Sequence, residues 1–196
     1  MAQREPARGV CAIGDPIPPG PLRVLVDTSF IVESMVESNP RHRESRELLA
    51  LLSERGASIV FSELVDLEVP QAMSYIAALD AGRDRRAGLL DARVRRRSRS
   101  LTARTRRRWA EYLASIEWFR ADLTAILDEV PAIMFTTGLR SYDAAMAATA
   151  IAHRCDAIAT FDVDFGRLHE VDVPLLLTDA RRAGRMRDLR GAARPI

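Results

Sequence analysis

Three aspartates stand out in the stretch LRSYDAAMAATAIAHRCDAIATFDVDF, residues 139–165, because of where they fall. Asp143 lies at the start of an expected apolar, alanine-rich helix, two residues after Ser141, the expected N-cap. A helix start favours negative charge. Asp162 and Asp164 follow AIAT, a short apolar run of the length of a strand buried on both faces. In open α/β sheets, ligands bind at the carboxyl ends of such strands. Carboxylates gathered at one such edge repel each other unless a cation holds them, and an all-oxygen donor set suits a hard divalent ion.

Two further pieces lie upstream. The run LRVLV, beginning at Leu22, ends in Asp27, with Thr28 and Ser29 beside it. Taken alone, Asp27 reads best as a helix cap. The segment SELVDLEV places Glu63, Asp66 and Glu68 among apolar residues, with Glu68 about one and a half turns into the expected helix. His42, His153 and His169 follow no ligand pattern, and Cys11 and Cys155 give neither zinc spacing nor a disulfide framework.

The elements that must position these acids alternate between strand and helix. Strands are expected at Leu22–Val26, at Ser58–Phe61, in AIMF after Pro131, in the run following Asp156, and at 173–177. An amphipathic helix is expected over about His42–Glu54, closed by Gly56. A second should follow Ser62 and be kinked by Pro70. From Trp109 to Leu127, apolar residues recur every three or four positions, the signature of one long helix. Residues 1–21 hold five of the ten prolines and read as a disordered leader; residues 179–196 read as a basic, weakly patterned tail.

At 196 residues and 47% apolar content, the chain suits one globular α/β core. No apolar run approaches the roughly 20 residues of a membrane span. The N-terminus lacks a signal peptide's apolar segment, so a cytoplasmic location is expected. All 29 basic residues are arginine, a bias that a GC-rich genome explains more readily than function does. Their distribution is another matter. Arg83–Arg108 holds 12 arginines against Asp84 and Asp91 alone, leaving 17 arginines and 25 acids elsewhere. A basic arm on an acidic body points to a polyanionic partner, and a solvated helix face is the competing reading.

VLVDTSFIV, SELVDLEV, SYDAAMAATA and ATFDVDF, in that order, resemble the motifs of the PIN domain, and more narrowly those of the VapC-type toxin ribonucleases of toxin–antitoxin pairs. The resemblance covers residues 22–178. It implies an α/β fold of three layers, with a parallel sheet of about five strands between helices, to which this chain adds an Arg-rich helical insertion at about 82–108. It also implies an endoribonuclease dependent on Mg²⁺ or Mn²⁺, an antitoxin partner and a homodimer. On the matching positions, Asp27, Glu68, Asp143 and Asp162 take the family's catalytic acids. Asp27, Asp143, Asp162 and Asp164 would hold metal, with Thr28, Ser29 and Thr160 supporting them. The chain departs from the pattern at Pro70 and in the length of its Arg-rich segment, where Arg95, Arg96, Arg97, Arg106, Arg107 and Arg108 are the candidate RNA contacts.

The chemistry is consistent with the resemblance, since phosphodiester hydrolysis needs an activated water and charge relief on the leaving oxygen, and cations held by carboxylates supply both. Two alternatives stand beside it. One is a PIN-like module that binds nucleic acid without cleaving. The other is a phosphatase of the haloacid-dehalogenase type, which Ser29 two residues after Asp27 and the absence of lysine disfavour.

Overall fold

Val24, Leu25 and Val26 are wholly buried because their strand lies in the middle of the sheet, with Leu25 facing Val60 on one side and Ile158 on the other. A computed structural model describes residues 9–84, 91–168 and 175–192. It contains strands β1 (Val10–Ala12), β2 (Arg23–Val26), β3 (Ser58–Ser62), β4 (Glu117–Ala121), β5 (Ala157–Ala159) and β6 (Leu175–Thr178). All pairs are parallel, in the order β1-β6-β5-β2-β3-β4. Seven α-helices among the described residues flank the sheet: α1 (Thr28–Met35), α2 (His42–Glu54), α3 (Val65–Asp80), α4 (Ala92–Leu113), α5 (Val130–Thr137), α6 (Ser141–Ala152) and α7 (Ala180–Ala192). A 3₁₀ helix spans Val163–Arg167. Among the described residues, no helix is long and apolar enough to cross a membrane.

The strand order decides where a ligand can sit. From β2 the chain moves to β3 and β4 on one side, then returns as β5 to the other side of β2. The connections therefore diverge between the carboxyl ends of β2 and β5, which opens a crevice there. Asp27 follows the first of these strands and Asp162 the second.

Five sequence expectations are corrected. The leader is not wholly disordered: β1 adds a sixth strand, pairing Val10 with Leu176 and Ala12 with Thr178, and Ile17 is buried. Three strand residues among prolines and glycines carry no readable period, and the strand exists only because β6 offers an edge. Residues 1–8 lie outside the described residues. AIMF is helical, part of α5, where Pro131 stands in the first turn and Gly138 closes the end with a φ of 68°. The long helix expected to Leu127 stops at Leu113, and β4 follows; the apolar spacing continued across the break because Ile116 and Phe119 happened to fall on the helical period. Ser141 does not cap α6; Arg140 holds that position without a side-chain hydrogen bond. The basic tail is α7, seated through buried Ala183 and Met186.

The Arg-rich segment is also more integrated than an arm. Val94, Ser98, Leu101, Thr105 and Trp109 form a buried stripe along α4. It lies against α3, where Ser98 Oγ meets Ser74 Oγ at 2.8 Å and Thr105 Oγ1 meets Met73 Sδ at 3.4 Å. Asp91 caps α4, accepting from Arg93 N and Val94 N. The part of the segment at 85–90 lies outside the described residues. Pro70 sits within α3, which continues to Asp80.

Gly166, in the 3₁₀ helix, sits at a tight seam with α7. A Cβ there would stand 2.9 Å from Met186 Cα and 3.0 Å from Met186 O, both backbone atoms of α7. Gly166→Ala should therefore force α7 away from the 3₁₀ helix and cost about 1–3 kcal/mol, as overpacking typically does. Thermal or urea denaturation measures this; an unchanged midpoint would show that the two helices do not meet so closely.

Candidate active site

Asp27 terminates β2 and caps α1, and only 7% of its surface is exposed. Every hydrogen bond described for its side chain converges on Oδ2. Ser29 N donates at 3.3 Å, Thr160 Oγ1 donates at 2.9 Å, and Ser29 Oγ donates as well. The Ser29 hydroxyl also reaches the end of β5, accepting from Phe161 N at 2.9 Å, while Thr160 Oγ1 accepts locally from Asp162 N at 3.0 Å. Ser29 and Thr160 thus tie the end of β2 to the end of β5. Asp27 N completes the tie by donating to Ala159 O at 3.0 Å.

Glu68 comes from the first turn of α3 and accepts from Thr28 Oγ1 at 2.5 Å through Oε2. Asp162 caps the 3₁₀ helix, accepting from Asp164 N at 2.9 Å through Oδ1. In Asp27, Glu68 and Asp162 alike, one oxygen takes all the described hydrogen bonds, which leaves the second for a ligand. Asp143, in the first turn of α6, makes no described side-chain hydrogen bond.

The four acids line one cavity of ≈ 620 Å³, together with Thr28 and Ser29. Their charges feel each other. Burial pushes the Asp143 carboxyl up to about 7, reinforced by Asp162, Asp27, Glu68 and Asp164. Burial also raises Glu68, with the Thr28 hydrogen bond opposing and Asp27 and Asp162 adding to the rise. Asp27 is raised by burial against the pull of its Ser29 and Thr160 hydrogen bonds. Among the described residues no three acids are already set as ligands around one ion. They form an all-oxygen basin with unengaged oxygens, which fits Mg²⁺ or Mn²⁺, ions that keep several waters and take few protein ligands.

Not every expected residue joins this basin. Asp164 is absent from the cavity lining and pairs with Arg167 Nε at 3.4 Å, although its charge still reaches Asp143. None of Arg95, Arg96, Arg97, Arg106, Arg107 and Arg108 lines the cavity. Arg97 pairs with Asp80, Arg106 with Asp66, Arg107 with Glu111 and Arg108 with Glu37.

Conversely, Arg182 and Arg185 of α7 line the cavity and escaped the sequence reading. Arg182 donates through Nε to Phe161 O at 2.5 Å and through NH1 to Asp179 Oδ2 at 2.8 Å. Arg41 Nε reaches the same Asp179 oxygen at 2.7 Å. Burial works to raise the Asp179 carboxyl, but the hydrogen bonds from Arg182 and Arg41 outweigh it and hold the group below its ordinary range. The readable signal was LLLTD, a further apolar strand ending in an aspartate.

The raised carboxyl of Asp143 has a consequence for stability. Its folded value of about 7 lies above the ordinary 3.8, so its contribution is full below about pH 4 and is lost as pH rises through 7. Without divalent cations, Asp143→Asn should therefore be more stable than wild type at pH 8. The gain should be roughly 1–2 kcal/mol once solvent screening of a half-buried group is allowed for. The gap should shrink toward pH 4. Urea midpoints at the two pH values test this, and a variant less stable at pH 8 would contradict it.

The chain matches the PIN domain family model over residues 24–171. Its fold is similar to the crystal structure of VapBC2 from Rickettsia felis bound to a DNA fragment from their promoter, with a TM-score of 0.50 and 16% identity, covering 80% of this chain and 98% of that one. It is also similar to FitAcB from Neisseria gonorrhoeae, with a TM-score of 0.49 and 22% identity, covering 78% of this chain and 96% of that one. No curated protein sequence matches it. The family model spans β2 to the 3₁₀ helix and so takes in Asp27, Glu68, Asp143 and Asp162 together. By that match the chain belongs to the PIN domain family.

Proposed function

We propose that the chain is a metal-dependent endoribonuclease, the toxin of a toxin–antitoxin pair, acting in the cytoplasm. The observation that carries this is the convergence of Asp27, Glu68, Asp143 and Asp162 on one cavity, with an oxygen unengaged on each of the three that the protein orients. Asp27, Asp143 and Asp162 would hold a Mg²⁺ or Mn²⁺ ion, with Asp164 at the rim and Glu68 beside Thr28. When bound, the cation supplies an activated water and neutralises charge developing on the phosphodiester. The hydroxyls of Ser29 and Thr160 fix Asp27, and the Asp164 N–H fixes Asp162, so their free oxygens keep their orientation as charge shifts.

A PIN-like module that binds without cleaving would need the fold but not four acids in one basin, and so is the weaker reading. The haloacid-dehalogenase alternative falls with the family assignment.

Partners follow the same reading. A small antitoxin and a second copy of the chain each need an apolar surface. Leu67, Tyr75 and Leu79, at successive intervals of eight and four residues on α3, are exposed, and Tyr75 also lines the cavity. Trp118 and Phe119 are exposed on β4 at the end of the sheet. The arginines of α4 supply sequence-independent attraction for RNA from outside the cavity.

Cleavage of RNA should require Mg²⁺ or Mn²⁺ and cease in excess chelator while circular dichroism reports an intact fold. Equal cleavage in chelator would end the metal mechanism. Asp143→Asn should lower the rate at least about 100-fold, since even an outer partner of a metal site typically costs 10–100-fold. Replacing Arg95, Arg96, Arg97, Arg106, Arg107 and Arg108 by Gln should weaken RNA binding and flatten its salt dependence, with the single-turnover rate at saturating RNA little changed. Identical salt slopes would make α4 a solvated face only.

A further inference from the structure

We infer that α7 completes the substrate site, with Arg185 taking a backbone phosphate of the RNA strand beside the bond to be cut; this rests on the nuclease reading above. Arg182 and Arg185 lie one turn apart on α7, and both line the cavity that holds the acids. Their situations differ. Arg182 is committed, bonded to Phe161 O and Asp179, and so serves to fasten α7 to the loop that carries Asp162. Arg185 is exposed and makes no hydrogen bond or ion pair among the described residues. Among the described residues, no acid answers its charge.

Such a cation is needed there. The cavity is lined by Asp27, Glu68, Asp143 and Asp162, and a bare polyanion approaching them is repelled. Divalent ions held by these acids would offset their charge, but the phosphates beside the scissile one still need counter-charge. A guanidinium fork matches a phosphate in two parallel hydrogen bonds, which fixes the strand as well as attracting it. The seat of α7 is rigid enough for that task, because Met186, one residue beyond Arg185, meets Gly166 backbone to backbone. The helix lies beyond residues 24–171, the span of the family match.

The test uses full-length protein and a short fluorescein-labelled single-stranded RNA of mixed sequence, with Mn²⁺ present. Affinities are read by anisotropy in the Asp143→Asn background, where the RNA stays whole, and KM and kcat in the otherwise wild-type chain. Arg185→Gln should weaken binding and raise KM roughly tenfold, leave kcat within about twofold, and reduce the salt slope by about 0.7, the share of one phosphate contact on a single strand. Arg185→Lys should keep the slope while recovering part of the affinity. Arg43→Gln, on an arginine paired with Glu47 on α2 and away from the cavity, should change neither. Cleavage by wild type with KM and slope unmoved in Arg185→Gln would overturn the inference alone, as would equal losses in Arg43→Gln. A wild-type chain that neither binds nor cuts RNA would overturn the nuclease reading, and the inference with it.

Discussion

Four carboxylates confined to one basin push each other apart, and much of the surrounding structure serves to keep them together. The push is visible in the Asp143 carboxyl, raised to about 7 by burial and by the charges of its neighbours. Opposing it is a short chain of hydroxyls. Ser29 and Thr160 both donate to Asp27, Thr160 from across the gap, and Ser29 accepts from the Phe161 amide on the far side, so one network orients an acid and closes the seam between β2 and β5. The core beneath contributes nothing polar there: Val26 and Ala159 are wholly buried, and only beyond them does the chain turn acidic. Stability is given up locally so that a charged ligand finds a prepared place.

Phe161 shows how the backbone beside Asp162 is held. Its ring stacks on Phe30 with centroids 5.3 Å apart, and the guanidiniums of Arg41 and Arg182 lie 5.5 and 5.8 Å from it. Its carbonyl accepts from Arg182 and its amide donates to Ser29. Asp179 joins the two guanidiniums below. One residue is gripped through ring, carbonyl and amide, and the acid next to it inherits that placement.

The acids were legible in the sequence because burial makes acid conspicuous. Asp27 and Asp162 each end an apolar run, and Asp143 opens an alanine-rich helix, so each broke a pattern that could be read locally. The buried strands β2, β3 and β5 were legible for the same reason, as short unbroken apolar runs. What escaped depended on distant partners. β1 is three residues long and is a strand only beside β6. β4 lies at the sheet's end with most of its residues exposed, so it lacks the apolar run of an inner strand. In α5, a short apolar run served equally for helix or strand, and Pro131 decided it by standing in a first helical turn. Arg182 and Arg185 were two among 29 arginines, and nothing local distinguished them from the rest.

The pairing of β1 with β6 also bears on how the molecule comes into being. Chains are made from the amino end and begin to fold as they emerge. Val10–Ala12 are among the earliest described residues to appear, yet the strand they join is Leu175–Thr178. The acid-bearing loop is likewise complete at Asp164, well before Arg182 and Met186 emerge to brace it. A nascent chain therefore carries every acid of the basin before it carries the helix that steadies them.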